Sequence, residues 1–238
     1  VHMLSAQAFN AFLKTLEEPP RHALFVLATT EKHKIIPTIL SRCQIFDFNR
    51  IKIGDIVRHL AFVAREESVS IENEALNVIA QKADGAMRDA LTIFDQIVSF
   101  SGREILYHDV ITNLNVLDYE YYFRLVDCFL KNQVADSLMV FNEVLEKGFE
   151  GQHFINGLSG HFRDLLVSRD PVTVQLLEVG GEIRERYKEQ AARSPQDFLL
   201  EALQLSNECD YQYKTSQNKR LSIELTLARI SQLTLKKK

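Results

Sequence analysis

From Ile53 to the end of the chain, apolar residues recur only at helical spacing. That confines most of the molecule to helices packed on helices. Ile56, Leu60 and Val63 predict a helix over about 55–66, and Ala75, Leu76, Ile79 and Ala80 predict a second, N-capped by Ser70 and running to about Ala83. Asp84-Gly85 closes the second helix. Further helices are expected over 86–100 and 108–114. Beyond Asn115-Val116-Leu117-Asp118 they are expected over about 119–131, 134–147, 151–168, 172–177, 182–192, 195–215 and 218–235. Gly148, Pro171, Gly180-Gly181 and Ser194-Pro195 punctuate this stretch, and no fixed-period repeat points to a solenoid.

Residues 1–50 read differently. Ser5 can cap a helix to about Leu16 with Phe9, Phe12, Leu13 and Leu16 on one face, stopped by Glu17-Glu18-Pro19-Pro20. The six-residue run Ala23–Ala28 is continuously apolar and bounded by turn signals, the pattern of a parallel strand covered on both faces. Pro37 can open a short helix, and Ile45, Phe46 and Phe48 suggest a second short strand. Two strands cannot cover themselves on both faces. The expectation is therefore that 1–50 is the tail of a larger α/β domain whose start lies upstream of Val1.

Composition narrows the function classes. A net charge of −4 argues against a general nucleic-acid binder, so any DNA contact needs a local basic surface or partners. The one run of like charge, Lys236–Lys238, is terminal and reads as a frayed end or a basic tail. Cys43, Cys128 and Cys209 have neither zinc nor disulfide spacing and are expected to be buried thiols. The seven histidines, His2, His22, His33, His59, His108, His153 and His161, show no HxxxH spacing. The sequence contains no signal-peptide pattern and no membrane-length apolar stretch, so a cytoplasmic location is expected. It also contains no GxSxG, GxGxxG or GxxxxGK[ST] motif. Without a phosphate-cradling loop these 238 residues hold no autonomous nucleotide site.

Three residues can nonetheless carry phosphate chemistry. Thr30 follows the C-terminal end of the apolar run, the edge where open α/β sheets bind ligands; its hydroxyl can orient a water, or simply start a turn. Arg42, in Ser41-Arg42-Cys43 after the short helix, can act as an arginine finger or be an ordinary ion-paired surface arginine. Arg88, in Gly85-Ala86-Met87-Arg88-Asp89-Ala90-Leu91, lies in the first turn of a helix, where the dipole disfavours a cation and an anion would relieve it. The alternative for Arg88 is an ion pair with Asp84 or Asp89.

Taken together, several segments in one order resemble the γ/τ subunits of bacterial DNA polymerase III, the AAA+ motor family of the clamp loader. They are Val1–Ser5, Ala8-Phe9-Asn10, Leu13–Pro20, Leu27–Glu31, Thr38–Gln44, and Gly85–Leu91 with Asp95-Gln96. The resemblance covers essentially the whole chain and implies a mainly α fold in three parts. Residues 1–50 would end the AAA+ ATPase base, 51–115 would be the helical lid, and 116–238 the helical collar that mediates oligomerisation. In that family the Walker B Asp-Glu pair directly precedes the Val-His-Met-Leu-Ser stretch, and the P-loop lies further upstream. By position Thr30 is then the sensor 1 residue, Arg42 a finger acting in trans on a neighbour's ATP, and Arg88 the sensor 2 residue on the γ-phosphate of its own subunit's ATP.

The resemblance further implies ATP and Mg as cofactors of the full-length protein, with none expected on this piece. The implied partners are other γ/τ copies, δ, δ′, the sliding clamp and primer-template DNA, with no membrane role. The implied work is loading the sliding clamp onto primed DNA during replication, and the 238 residues alone should be inactive as an ATPase. Two other readings stay open: a δ′-like stator that need not hydrolyse ATP, and a helical assembly module with no nucleotide role.

Overall fold

The computed structural model describes residue 1 and residues 3–234. His2, the Lys236–Lys238 run and the last residue of the helix expected to reach Leu235 lie outside the described residues. Twelve α-helices and two two-residue strands are found among the described residues, in two compact units, Val1–Asn49 and Arg50–Lys238. Among the described residues no helix is long and apolar enough to cross a membrane.

The first unit is built on α1 (Ala6–Glu17) and α2 (Pro37–Leu40). Ser5 caps α1, its hydroxyl accepting from the Ala8 N–H at 3.2 Å, and Pro37 occupies the first turn of α2, as expected. Phe9, Ile35 and Ile39 form the buried centre, with Phe12, Leu13, Leu16, Leu27 and Cys43 packed around it.

The apolar run 23–28 departs from its expectation. It forms no strand and is not covered on both faces. Leu27 joins the α1 cluster and Phe25 meets Phe12 edge-on, whereas Leu24 and Val26 are 89% and 81% exposed. This two-residue alternation is that of an extended chain with one face packed. A parallel strand needs a neighbour bonded along its edge, and no described segment supplies one. Phe46 and Phe48, the core of the other expected strand, are likewise exposed.

The second unit holds two apolar cores. In the first, α3 (Ile53–Glu66), α4 (Asn73–Lys82), α5 (Met87–Ser101) and α6 (Tyr107–Asn113) surround Ile56, Leu60, Ile79, Phe94 and Ile97. Ser70 does not cap α4, whose cap position is Glu72. Ser70 lies instead in β1 (Ser70–Ile71), paired parallel with β2 (Glu104–Ile105) in the register Ser70↔Glu104 and Ile71↔Ile105. Two residues per strand are too few to leave an alternating pattern, which is why the helical period hid them.

Six helices make the second core: α7 (Tyr119–Leu130), α8 (Val134–Glu146), α9 (Gly151–Val167), α10 (Gly181–Arg193), α11 (Gln196–Tyr213) and α12 (Lys219–Gln232). Phe129, Phe141, Phe154, Phe162 and Leu227 lie at its centre. The segment expected as a helix over 172–177 is a single 3₁₀ turn, Thr173–Leu176. Cys209 is buried here, but Cys43 and Cys128 are only half-buried, and no disulfide joins any of the three.

A buried polar chain pins α10, otherwise rich in charge, to α7 and α9. The Gln190 amide N–H groups donate to the Phe123 carbonyl and to Asp127 Oδ1, both at 2.9 Å. Gln190 Oε1 must then accept, so His161 carries its proton on Nε2 at 3.1 Å, and its bare Nδ1 accepts from the Tyr187 hydroxyl at 2.8 Å. Every polar atom of the imidazole is satisfied in its neutral form. Burial pushes the His161 pKa down to about 3, outweighing the Gln190 hydrogen bond, which raises it.

This sets a pH dependence. The unfolded histidine takes up a proton below its ordinary value of 6.5, while the folded one stays neutral down to about 3. In that window the unfolded state binds more protons, so stability falls as pH falls, by about 1.4 kcal/mol per unit. Thermal unfolding from pH 7 to 5 should therefore show a falling midpoint whose slope is shallower in His161→Gln. Equal slopes would contradict a neutral buried His161.

Candidate phosphate-responsive arginines

The three candidate residues lie on different elements, and no described hydrogen bond joins any two of them. Thr30 is exposed at the bend after the apolar segment. The hydroxyl engaged there is that of its neighbour: Thr29 Oγ1 accepts from the Glu31 N–H at 3.0 Å, opening the 3₁₀ turn Lys32–Lys34. The turn-starting role foreseen for Thr30 therefore falls to Thr29, and the Thr30 side chain is left to solvent.

Arg42 sits just past the C-terminal end of α2. Its guanidinium donates to the Thr38 carbonyl at 2.9 Å and to Glu17 Oε1 at 2.6 Å. The carbonyl contact is the usual fit of a cation to the end of a short helix. Glu17 is the last residue of α1, placed there because Glu18-Pro19 ends that helix. The two side chains are 37% and 49% exposed, so the pair contributes at most about 1 kcal/mol. A phosphate, which accepts two parallel N–H bonds from a guanidinium, can replace the carboxylate at little cost. Sequence reasoning did not single out Glu17 as this partner; its place beside the helix-ending Pro-Pro pair was the available signal.

Arg88 is the second residue of α5 and is exposed. The ion pair with Asp84 that the sequence allowed does not form, because the Asp84 carboxylate is taken by Arg50. Asp84 and Gly85 both have left-handed backbone, with φ of 47° and 83°. That turn reverses the chain between α4 and α5 and so sets where Arg88 begins. Its outer side is gripped by the residues that enter the second unit: Arg50 donates to the Asp84 carbonyl at 3.3 Å, and the Ile51 N–H donates to the Gly85 carbonyl at 3.1 Å. A Cβ at position 85 would lie 2.6 Å from Arg50 Cβ. Glycine is therefore required twice over, by its φ and by the close approach of residue 50. Arg88 consequently projects from a rigid corner, at the positive end of a helix dipole, with no carboxylate bonded to it among the described residues.

No group of three or more histidine, cysteine or acidic side chains that could hold a metal ion is found among the described residues. The candidate groups for phosphate contact are two guanidinium groups on separate units and one hydroxyl.

Comparison with known proteins places this geometry. A family described as "DNA polymerase III, delta subunit" matches residues 1–52, and one described as "DNA polymerase III clamp loader subunit, ATPase lid domain" matches residues 55–103, which contain the Asp84–Gly85 turn and Arg88. The tau subunit of DNA polymerase III from Bacillus subtilis is 37% identical over 98% of this chain. The tau subunit from Escherichia coli is 32% identical over 96% of it. Over nearly its whole length the chain is similar to DNA polymerase III gamma/tau subunits.

It spans 41% and 36% of the length of those two relatives, and 64% of a Buchnera aphidicola gamma subunit that is 29% identical over 97% of this chain. Among solved structures, a Bacillus subtilis DNA clamp loader delta protein aligns over 94% of this chain and 70% of its own at 19% identity and a TM-score of 0.48.

The corner at Gly85 gives a direct test. Gly85→Ala adds both the φ penalty and the collision with Arg50, whereas Gly148→Ala, at a φ of 85° with nothing within 4 Å of the new Cβ, adds the φ penalty alone. Urea unfolding should show Gly85→Ala to be the more destabilising by about 1–2 kcal/mol. Equal losses would mean that residue 50 does not brace the turn.

Proposed function

We propose that this chain is the part of a gamma/tau clamp-loader subunit that senses ATP without cradling it. In this reading residues 1–50 end the AAA+ base, 51–115 form the lid, and 116–238 form the collar through which subunits assemble. ATP and Mg bind to the full-length protein at a phosphate loop outside these residues. Arg88 contacts the γ-phosphate of the subunit's own ATP, Thr30 helps position the attacking water, and Arg42 reaches the ATP of a neighbouring subunit. The machine so assembled, with other gamma/tau copies, δ and δ′, loads the sliding clamp onto primer-template DNA for replication.

One observation carries the reading. Arg88 stands at the start of α5 with the nearby carboxylate of Asp84 already committed to Arg50, so its charge is left for an external anion. Arg42 supports it from the other unit: its ion pair with Glu17 is exposed, and a phosphate can displace that carboxylate while the Thr38 carbonyl contact stays in place. An arginine finger stabilises charge on the transferring phosphoryl group and is worth on the order of 10³-fold or more in kcat. A sensor that touches the γ-phosphate before hydrolysis acts on ATP binding as well.

The second reading is a non-hydrolysing stator. The delta description of the family matching residues 1–52 favours it.

In the full-length protein assembled with its partner subunits, Arg42→Ala should lower kcat for ATP hydrolysis on the order of 10³-fold with folding intact. Arg88→Ala should raise the KM for ATP. The isolated 238-residue chain should hydrolyse no ATP. An assembly in which neither substitution changes ATP turnover would contradict the proposal, and one in which only Arg42→Ala matters would favour the stator.

A further inference from the structure

The last turn of α4 carries a side chain that the phosphate reading does not use. Gln81 reaches out of the first core of the second unit and into the second. Its amide N–H donates to the Glu178 carbonyl, and its amide oxygen accepts from the Tyr119 hydroxyl at 3.0 Å. Tyr119 is the first residue of α7, and Glu178 lies on the connection into α10, so one glutamine engages two separate segments of the second core. Around it lies a cleft of about 370 Å³ lined by Arg50, Lys52, Gln81, Asp84, Arg163 and Glu178. Polar side chains make up most of this lining. Hydrogen bonds are directional, so this bridge fixes an orientation that a greasy contact would leave free to slide.

Its position along the chain matters. Gln81 is followed by Lys82 and Ala83, then the Asp84–Gly85 corner, then Arg88. The stretch between them is short and braced: α4 ends on Lys82, Arg50 and Ile51 bond to the corner, and α5 begins at Met87. A shift of the second core relative to the first therefore acts on Arg88 through Gln81. A second close approach lies on the same side, where a Cβ at Gly180 would come within 2.9 Å of Glu74 Oε1 on α4.

We propose that Gln81 is a positioning residue for Arg88, the latch through which the second helical core sets how the arginine meets the γ-phosphate. The inference rests on the reading of Arg88 given above. It adds that the placement of Arg88 is set from the second core as well as from the chain that enters the unit. Burial raises the Tyr119 pKa above its ordinary value, which keeps the hydroxyl protonated as the donor that the latch needs.

The test uses the full-length protein assembled with its partner subunits. Gln81→Met keeps the side-chain length and removes both hydrogen bonds; Tyr119→Phe removes one of them and leaves Gln81 in place. Each is made alone and in an Arg88→Ala background. Steady-state ATP hydrolysis and amide hydrogen exchange over residues 84–89 are measured. Each single substitution should raise the KM for ATP by roughly 3- to 10-fold with a smaller change in kcat, and should speed exchange at the corner. In the Arg88→Ala background neither should raise the KM further. An unchanged KM in both single variants, where Arg88→Ala itself raises it, would overturn the latch, and so would an increase that persists undiminished without Arg88. If Arg88→Ala leaves the KM unchanged, the γ-phosphate reading fails instead. Exchange then decides the latch alone: faster exchange at 84–89 upholds the mechanical link, and unchanged exchange removes it.

Discussion

The left-handed corner at Asp84–Gly85 is the constraint on which the rest of the second unit depends. Two consecutive residues with positive φ reverse the chain between α4 and α5, and only a glycine at the second of them lets residue 50 come as close as it does. The backbone bond from Ile51 to the Gly85 carbonyl fixes where the entering chain lies, and the Arg50–Asp84 pair removes the carboxylate that would otherwise neutralise Arg88. The same turn thus shapes the backbone and leaves a cation uncompensated. A helix N-terminus disfavours such a charge modestly, by some tenths of a kcal/mol to about 1 kcal/mol, and an anionic ligand relieves it.

Polar chains, more than additional apolar area, orient the helices around this corner. The two cores of the second unit are each filled by aliphatic and aromatic side chains, which supply most of the driving force but little directional information. Direction comes from Gln190, His161 and Tyr187, which tie α10 to α7 and α9, and from Gln81, which ties α4 to Tyr119 and Glu178. In the Gln190–His161–Tyr187 chain both imidazole nitrogens are paired and buried, so losing one member leaves a buried donor or acceptor unpaired, which costs about 1–3 kcal/mol.

The helical fold was legible because its signals are local. Apolar spacing located α3 through α9 and α11 to within a few residues, and Asp84-Gly85, Gly148 and Ser194-Pro195 marked where helices end. The misses have a common cause, dependence on partners distant in sequence. The run 23–28 was apolar enough for a strand, yet a strand is defined by what bonds to its edge, and alternation in exposure shows only one packed face. The β1–β2 pair was too short to have a period. Of the site, Arg42 and Arg88 were legible from their motifs. Glu17, Arg50 and Gln81 were not, because each matters through a contact made 25, 34 or 97 residues away. Asp84 was foreseen as a partner for Arg88, and only the structure assigns it to Arg50.

The central claim is that two arginines, held apart from acidic competitors or only loosely paired with one, respond to ATP phosphates on different subunits. A structure of the full-length assembly with a non-hydrolysable ATP analogue tests it most directly. The Arg88 guanidinium should lie within hydrogen-bonding distance of the γ-phosphate bound by its own chain. Arg42 should have left Glu17 for the nucleotide of the adjacent chain. Arg42 still bonded to Glu17 and Arg88 still in solvent, with nucleotide in every site, would contradict it.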